Sequence, residues 1–140
     1  MRVLALDLGT KRIGVAVSDR SGTIATPLTV ITRSGRTADD HTRIAVLVAE
    51  EEAERVVVGL PLSLDGRSGP AAKAAQAETE LLAAALPVPV ESFDERLTTV
   101  TAERALKEAG LRTEGRRRVV DKVAAAVILQ AWLDRRAGAG

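Results

Sequence analysis

The spacing of apolar residues changes period once along this chain, near residue 33, and that change narrows the fold more than any single motif. Before it, residues 2–8 (RVLALDL), 12–18 (RIGVAVS) and 23–31 (TIATPLTVI) alternate with strand period. The connections are short polar turns, at Gly9–Lys11 and Asp19–Gly22, so the three strands form an antiparallel meander. Pro27 lacks an N–H and places the third strand at a sheet edge. After residue 33, helix-length and strand-length segments alternate. Residues 41–53 carry Ile44, Leu47 and Val48 on one helical face, and VVV at 56–58 is apolar enough for a strand buried on both sides. A loop covers 59–69, and a helix opened by Pro70 runs to Ala85. Residues 88–93 (VPVESF) are the fifth strand. Thr98 or Thr99 caps a helix that runs to Ala109 and stops at Gly110. A last helix spans 116–136, with Val120, Val123, Ala124, Val127, Ile128 and Ala131 as its apolar stripe.

Strands separated by helices run parallel, joined by crossovers. A meander leading into parallel crossovers predicts an α/β fold: a mixed five-stranded sheet, antiparallel then parallel, with helices on both faces. That is the ribonuclease-H-like arrangement. At 140 residues the chain is read as one domain, 1–134, followed by a disordered tail at 135–140 (RRAGAG). It contains no cysteine, which excludes disulfides and thiolate metal sites and suits a reducing compartment. With one histidine, a metal site must rely on carboxylates, and so on hard ions such as Mg²⁺ or Mn²⁺. The apolar runs are too short to span a membrane, and the first residues form a strand rather than a leader. A net charge of +1 announces no polyanion partner, so nucleic-acid binding would need a local basic patch.

Three acidic positions interrupt apolar contexts. Asp7 lies near the end of the first strand, Asp94 and Glu95 follow the fifth, and Asp121 lies in the first turns of the last helix, on an edge shared with Ala124, Ala125 and Ile128. Taken singly, each has an ordinary reading: an Asx turn before Gly9, a solvated strand exit, a helix residue paired with Arg117 or Arg118. Taken together, they converge at the C-terminal ends of parallel strands, where α/β sheets place their sites. Clustered carboxylates repel unless a cation neutralises them, and that cost argues for a divalent metal. Two such ions would activate water and stabilise the leaving oxygen of a phosphodiester.

Basic residues lie near these positions. The run RTEGRRRVVDK, 112–122, sets Arg116, Arg117, Arg118 and Lys122 beside Asp121, and Lys11 and Arg12 occupy the first turn. All are read as contacts to backbone phosphates. GLPLSLDGRSGP, 59–70, joins a strand to a helix N-terminus, where backbone N–H groups and Arg67 can meet an anion; a plain connection is the equal alternative. It lacks the Gly-Lys-Ser/Thr ending of a P-loop. One Phe and one Trp offer little stacking surface, which favours recognition by shape and phosphates. Trp132 is assigned to the core, His41 to a helix surface without a catalytic role, and Asp19 to shaping its turn.

ALDLGTKRIGVAVSD, VVGLPLSLDGRSGP, DERLTT and VDKVAAAVILQ, in that order from Arg2 to about Trp132, resemble the YqgF family. The family has been described as pre-16S rRNA nucleases and, earlier, as Holliday junction resolvases. The resemblance implies a cytoplasmic, metal-dependent nuclease that matures the 5′ end of 16S rRNA. Its acidic residues fall on Asp7, Glu95 and Asp121. Asp94 is retained as a metal-ligand candidate below Glu95, since neighbours at a strand exit point opposite ways and the register is not set by sequence. Arg96, within DERLTT, joins the expected phosphate contacts. The implied partners are structured RNA in ribosomal precursor particles, or branched DNA, with the protein a monomer or homodimer. Three alternatives stay open: a resolvase acting on DNA, a non-catalytic assembly factor, and a phosphate-binding turn of the sugar-kinase, Hsp70 and actin type, for which the chain is short.

Overall fold

The computed structural model describes residues 1–62, 65–98 and 114–139; in the last stretch it describes side chains from 121 to 138. Strands β1 (Val3–Leu8), β2 (Arg12–Ser18) and β3 (Ala25–Thr32) form the meander, followed by helix α1 (Thr37–Glu50), β4 (Arg55–Leu60), α2 (Pro70–Ala85) and β5 (Val90–Asp94). A 3₁₀ turn covers Glu95–Leu97, and helix α3 spans Glu114–Ala139. The sheet order is β3-β2-β1-β4-β5. The β1–β2 and β2–β3 pairs are antiparallel, and β1–β4 and β4–β5 parallel. This is the mixed five-stranded sheet that the change of period predicts. Pro27 lies on the edge strand, next to a register shift at Val15/Ala16 that absorbs its missing donor.

Alternation along the strands divides the core in two. Leu4, Leu6, Ile13, Val15, Val56 and Val58 face Ile44 and Val48 of α1 and Leu82 of α2. Val3, Ala5, Ala16 and Val57 face Ala124, Ala125, Ile128, Leu129, Trp132 and Leu133 of α3. The second face is built of small residues. It includes Gly14, where an added Cβ would lie 2.1 Å from the Asp121 carbonyl oxygen. The backbone of α3 therefore rests directly on β2, an approach that any side chain at position 14 would block.

Several boundaries differ from the periodicity, each for a local reason. Helix α1 begins at Thr37 rather than 41, because its first turn is polar: Asp39 and Asp40 suit the positive end of the helix dipole, and Asp40 accepts the Ser34 amide at 3.0 Å. Strand β3 begins at Ala25, since Thr23 and Ile24 belong to a turn gathered on the Asp19 carboxylate. The buried stripe of α3 is rotated by about one residue from the expected one. Ala125, Leu129, Trp132 and Leu133 are buried, while Val123 is exposed, so Asp121 faces the sheet squarely. The helix continues to Ala139, through residues expected to be a disordered tail, with the Arg136 guanidinium 5.3 Å above the Trp132 ring one turn earlier. The helix expected from Thr98 or Thr99 to Ala109 lies outside the described residues, Thr98 excepted. Among the described residues no helix is long and apolar enough to cross a membrane.

Candidate active site

The register of the sheet decides which acidic residues meet. Asp7 pairs with Gly14 across the antiparallel β1–β2 ladder, so the two share a face, and their parity with Val3, Ala5 and Ala16 makes it the α3 face. Because Gly14 has no side chain, α3 brings Asp121 down beside this pair. On the other side of β1, Gly59 of β4 has the same parity as Val57. A Cβ on Gly59 would stand 2.9 Å from the Glu95 carboxylate Oε1 and 2.6 Å from Ile128 Cδ1. Glu95 therefore lies over β4 on the α3 face. Asp7, Glu95 and Asp121 come from a strand, a 3₁₀ turn and a helix, and are 3%, 2% and 5% exposed. Two glycines inside strands create the room for them. Their sequence signal is a glycine that interrupts an apolar run, and it marks a close approach rather than a ligand.

Asp94 belongs elsewhere. As the last residue of β5 it accepts the Arg96 amide at 2.9 Å and the Arg96 Nη2 at 2.6 Å. Hydrogen bonds from the Arg96 side chain, which outweigh the effect of burial, hold the Asp94 carboxyl below its usual range. Arg96, expected to contact phosphate, is engaged with Asp94 and sits against Gly66 of the loop between β4 and α2. Arg67 is exposed and pairs with Asp65 at 3.1 Å. Lys11 is exposed at the tip of the β1–β2 turn, and Lys122 is half-buried on α3. The side chains of Arg116, Arg117 and Arg118 lie outside the described residues.

Arg12 departs most from its expected place. Its Nε donates to Asp121 Oδ2 at 2.7 Å, and both side chains are less than a tenth exposed. Instead of facing solvent, it supplies a buried positive charge to the carboxylate cluster. Among the described residues, no three His, Asp or Glu side chains stand close enough to hold one metal ion together. The donor set nevertheless fits a hard divalent ion: three buried carboxylates, all oxygen, on one face and at one end of the sheet.

Asp7, Arg12 and Asp121 line one cleft of about 620 Å³, together with Lys11, Arg33, Glu78, Pro61 and small residues of α2. His41, assigned to a surface, is 8% exposed and hydrogen-bonds Glu78 at 2.8 Å. Glu78 also receives both terminal nitrogens of Arg33, at 3.0 and 2.8 Å. Burial pushes the Glu78 carboxyl up, but the hydrogen bonds from Arg33 and His41 more than offset it, and its pKa is lowered.

The sequence profile of the RuvX family, described as a Holliday junction resolvase, matches residues 1–135. This chain belongs to the RuvX (YqgF) family. Relatives from Mycobacterium sp. (strain KMS) and Myxococcus xanthus (strain DK1622), both provisionally named pre-16S rRNA nuclease, are 51% and 49% identical to it. The alignments cover 99% and 96% of this chain, and 82% and 88% of the relatives. Among solved structures, Thermus thermophilus RuvC in complex with a Holliday junction substrate aligns with a TM-score of 0.63 at 21% identity, over 99% of this chain and 96% of that one. A second T. thermophilus RuvC structure gives 0.60 at 17%. At such identities the RuvC likeness is one of fold, and it agrees with the RuvX sheet described above.

Proposed function

We propose that this RuvX protein is a metal-dependent nuclease that hydrolyses phosphodiesters in structured RNA and processes the 5′ end of pre-16S rRNA. One observation carries the catalytic part: three buried carboxylates from separate elements converge on one face at one end of the sheet, beside an open cleft. The names of the relatives, at about half identity over nearly the whole chain, supply the substrate.

In this reading Asp7, Glu95 and Asp121, which are not yet gathered around one point, are the side chains that would close on Mg²⁺ or Mn²⁺. Bound there, the ion supplies charge to the reacting phosphate and acidifies water. Asp7, on the central strand, is the fixed reference for the other two. Gly14 and Gly59 set their spacing to it by letting a helix and a carboxylate approach the sheet. The buried guanidinium of Arg12 offsets the mutual repulsion of the cluster while holding Asp121 in place. Lys11, exposed in the cleft lining, meets a backbone phosphate, with further contacts from the basic residues at the start of α3. The substrate is met in ribosomal precursor particles in the cytoplasm.

The family description favours a second substrate, branched DNA. A resolvase pairs two cuts through a symmetric dimer, so solution mass bears on that choice. The deciding test incubates a precursor 16S 5′ fragment and a four-way DNA junction side by side with Mn²⁺ or Mg²⁺. Cleavage of the RNA fragment, abolished by Asp7→Asn, supports the reading. Cleavage confined to the junction replaces the substrate. Normal cutting by both Asp7→Asn and Glu95→Gln removes the carboxylate site.

A further inference from the structure

We propose that Arg33 and Glu78 are positioning residues that brace the β1–β2 turn, so that Lys11 meets the nucleic-acid backbone from a fixed place. The proposal rests on the nuclease reading, and specifically on the Lys11 contact. Arg33 directly follows β3 and grips the turn on both flanks. Its backbone N–H donates to the Lys11 carbonyl at 2.9 Å, extending the β2–β3 ladder past the strand ends. Its Nε donates to the Gly9 carbonyl at 2.7 Å. Between these two anchor points lie Thr10 and Lys11, both exposed.

The brace is itself anchored in the helical layer. The two terminal nitrogens of Arg33 fork onto the two Glu78 oxygens, a bidentate geometry that fixes orientation as well as distance. His41 of α1 makes a further hydrogen bond to the same carboxylate. One continuous set of bonds thus ties α1, α2 and the end of β3 to the turn between Asp7 and Arg12. Although Arg33 lines the cleft, its side chain is 17% exposed and all three guanidinium nitrogens bond protein oxygens. Its role is therefore to hold the turn, and Lys11 is the cation offered outward. Gly9 allows the turn to close this tightly: a Cβ there would lie 2.5 Å from the Arg12 carbonyl oxygen. A turn with an exposed tip and no such brace belongs to the most easily opened parts of a fold, and a lysine on it loses its freedom only on binding.

The test measures dissociation constants for a precursor 16S 5′ RNA fragment, without divalent ions so that nothing is cut, and amide hydrogen exchange in the free protein. Glu78→Gln removes a negative charge from the cleft lining, which by the electrostatic field alone would tighten binding of a polyanion. The brace predicts the opposite: Glu78→Gln weakens binding about five- to tenfold, the scale of one long side chain left unfixed. Added to Lys11→Ala, it changes affinity by less than about twofold, since both act through one contact. Exchange at residues 10–12 rises about tenfold or more, while the β1 and β4 amides keep their protection. Arg33→Lys keeps both charges but loses the fork, and shows the same pattern if Glu78→Gln does not fold. Unchanged or tighter binding in a folded brace variant, full additivity with Lys11→Ala, or unaltered exchange at the turn overturns the brace. If Lys11→Ala binds as the wild type does, the Lys11 contact of the nuclease reading fails, and the proposal falls with it.

Discussion

Replacing Gly14 with alanine perturbs the candidate site without touching a charged group. The new Cβ would stand 2.1 Å from the Asp121 carbonyl oxygen and 2.7 Å from its carbon. Both are backbone atoms of α3, so no rotamer change relieves the clash. To restore an ordinary contact, the helix must retreat by about 1 Å, carrying Asp121 away from Asp7. Overpacking of this kind costs about 1–3 kcal/mol. For a chain of this length that lowers the melting temperature by about 3–10 °C. The effect on chemistry is larger, because a displacement of about 1 Å at a reacting centre reduces turnover on the order of 100-fold. The assay compares single-turnover cleavage and thermal melting of Gly14→Ala with those of Gly138→Ala, where an added Cβ meets nothing within 4 Å. The control should cut like the wild type. A Gly14→Ala protein that melts and cuts like the wild type would refute the claim that close approach of α3 sets the position of Asp121.

Other consequences follow from the charges. Arg12→Gln leaves Asp121 buried without its guanidinium, and should destabilise the protein by about 3–5 kcal/mol in denaturant unfolding; Mn²⁺ added at saturation should restore part of that loss. Asp19 is held at a pKa of about 2, from an ordinary 3.8, by the Ser21 hydroxyl first and then the Thr23 and Ile24 amides. Its folded pKa is the lower one, so its stabilisation is complete above pH 3.8 and is lost as the pH falls toward 2. The gap in melting temperature between wild type and Asp19→Asn should therefore be constant from pH 7 to about 4 and close below that. Asp94→Asn, which alters a carboxylate on the opposite face of β5, should leave cleavage intact while Glu95→Gln abolishes it in the same assay.

The sheet was legible because its three central strands are buried and pattern strongly, and Asp7 stood out because an acidic residue breaks one of them. The choice between Asp94 and Glu95 was beyond the sequence. It depends on the register of β5 against β4, which pairs Phe93 with Gly59 and sends Glu95 toward α3. Arg12 and His41 were placed from local context, one in a charged turn and one in a polar stretch. Their actual partners, Asp121 and Glu78, lie 109 and 37 residues away in sequence. Long-range ion pairs leave no trace in periodicity, so a residue that neutralises a buried carboxylate reads like one that awaits a phosphate. The first turn of α1 escaped for the opposite reason. Its stability comes from acidic residues at the helix start, and apolar spacing does not record them.

The central claim is that the carboxylates of the α3 face form a divalent-ion site. Titration of Mn²⁺ into the folded protein, followed by electron paramagnetic resonance of the free ion, measures this apart from any substrate. The account predicts saturable binding by the wild type and by Asp94→Asn, and loss of that binding in Asp7→Asn and in Glu95→Gln. Equal binding by all four proteins, or loss in Asp94→Asn alone, would contradict it.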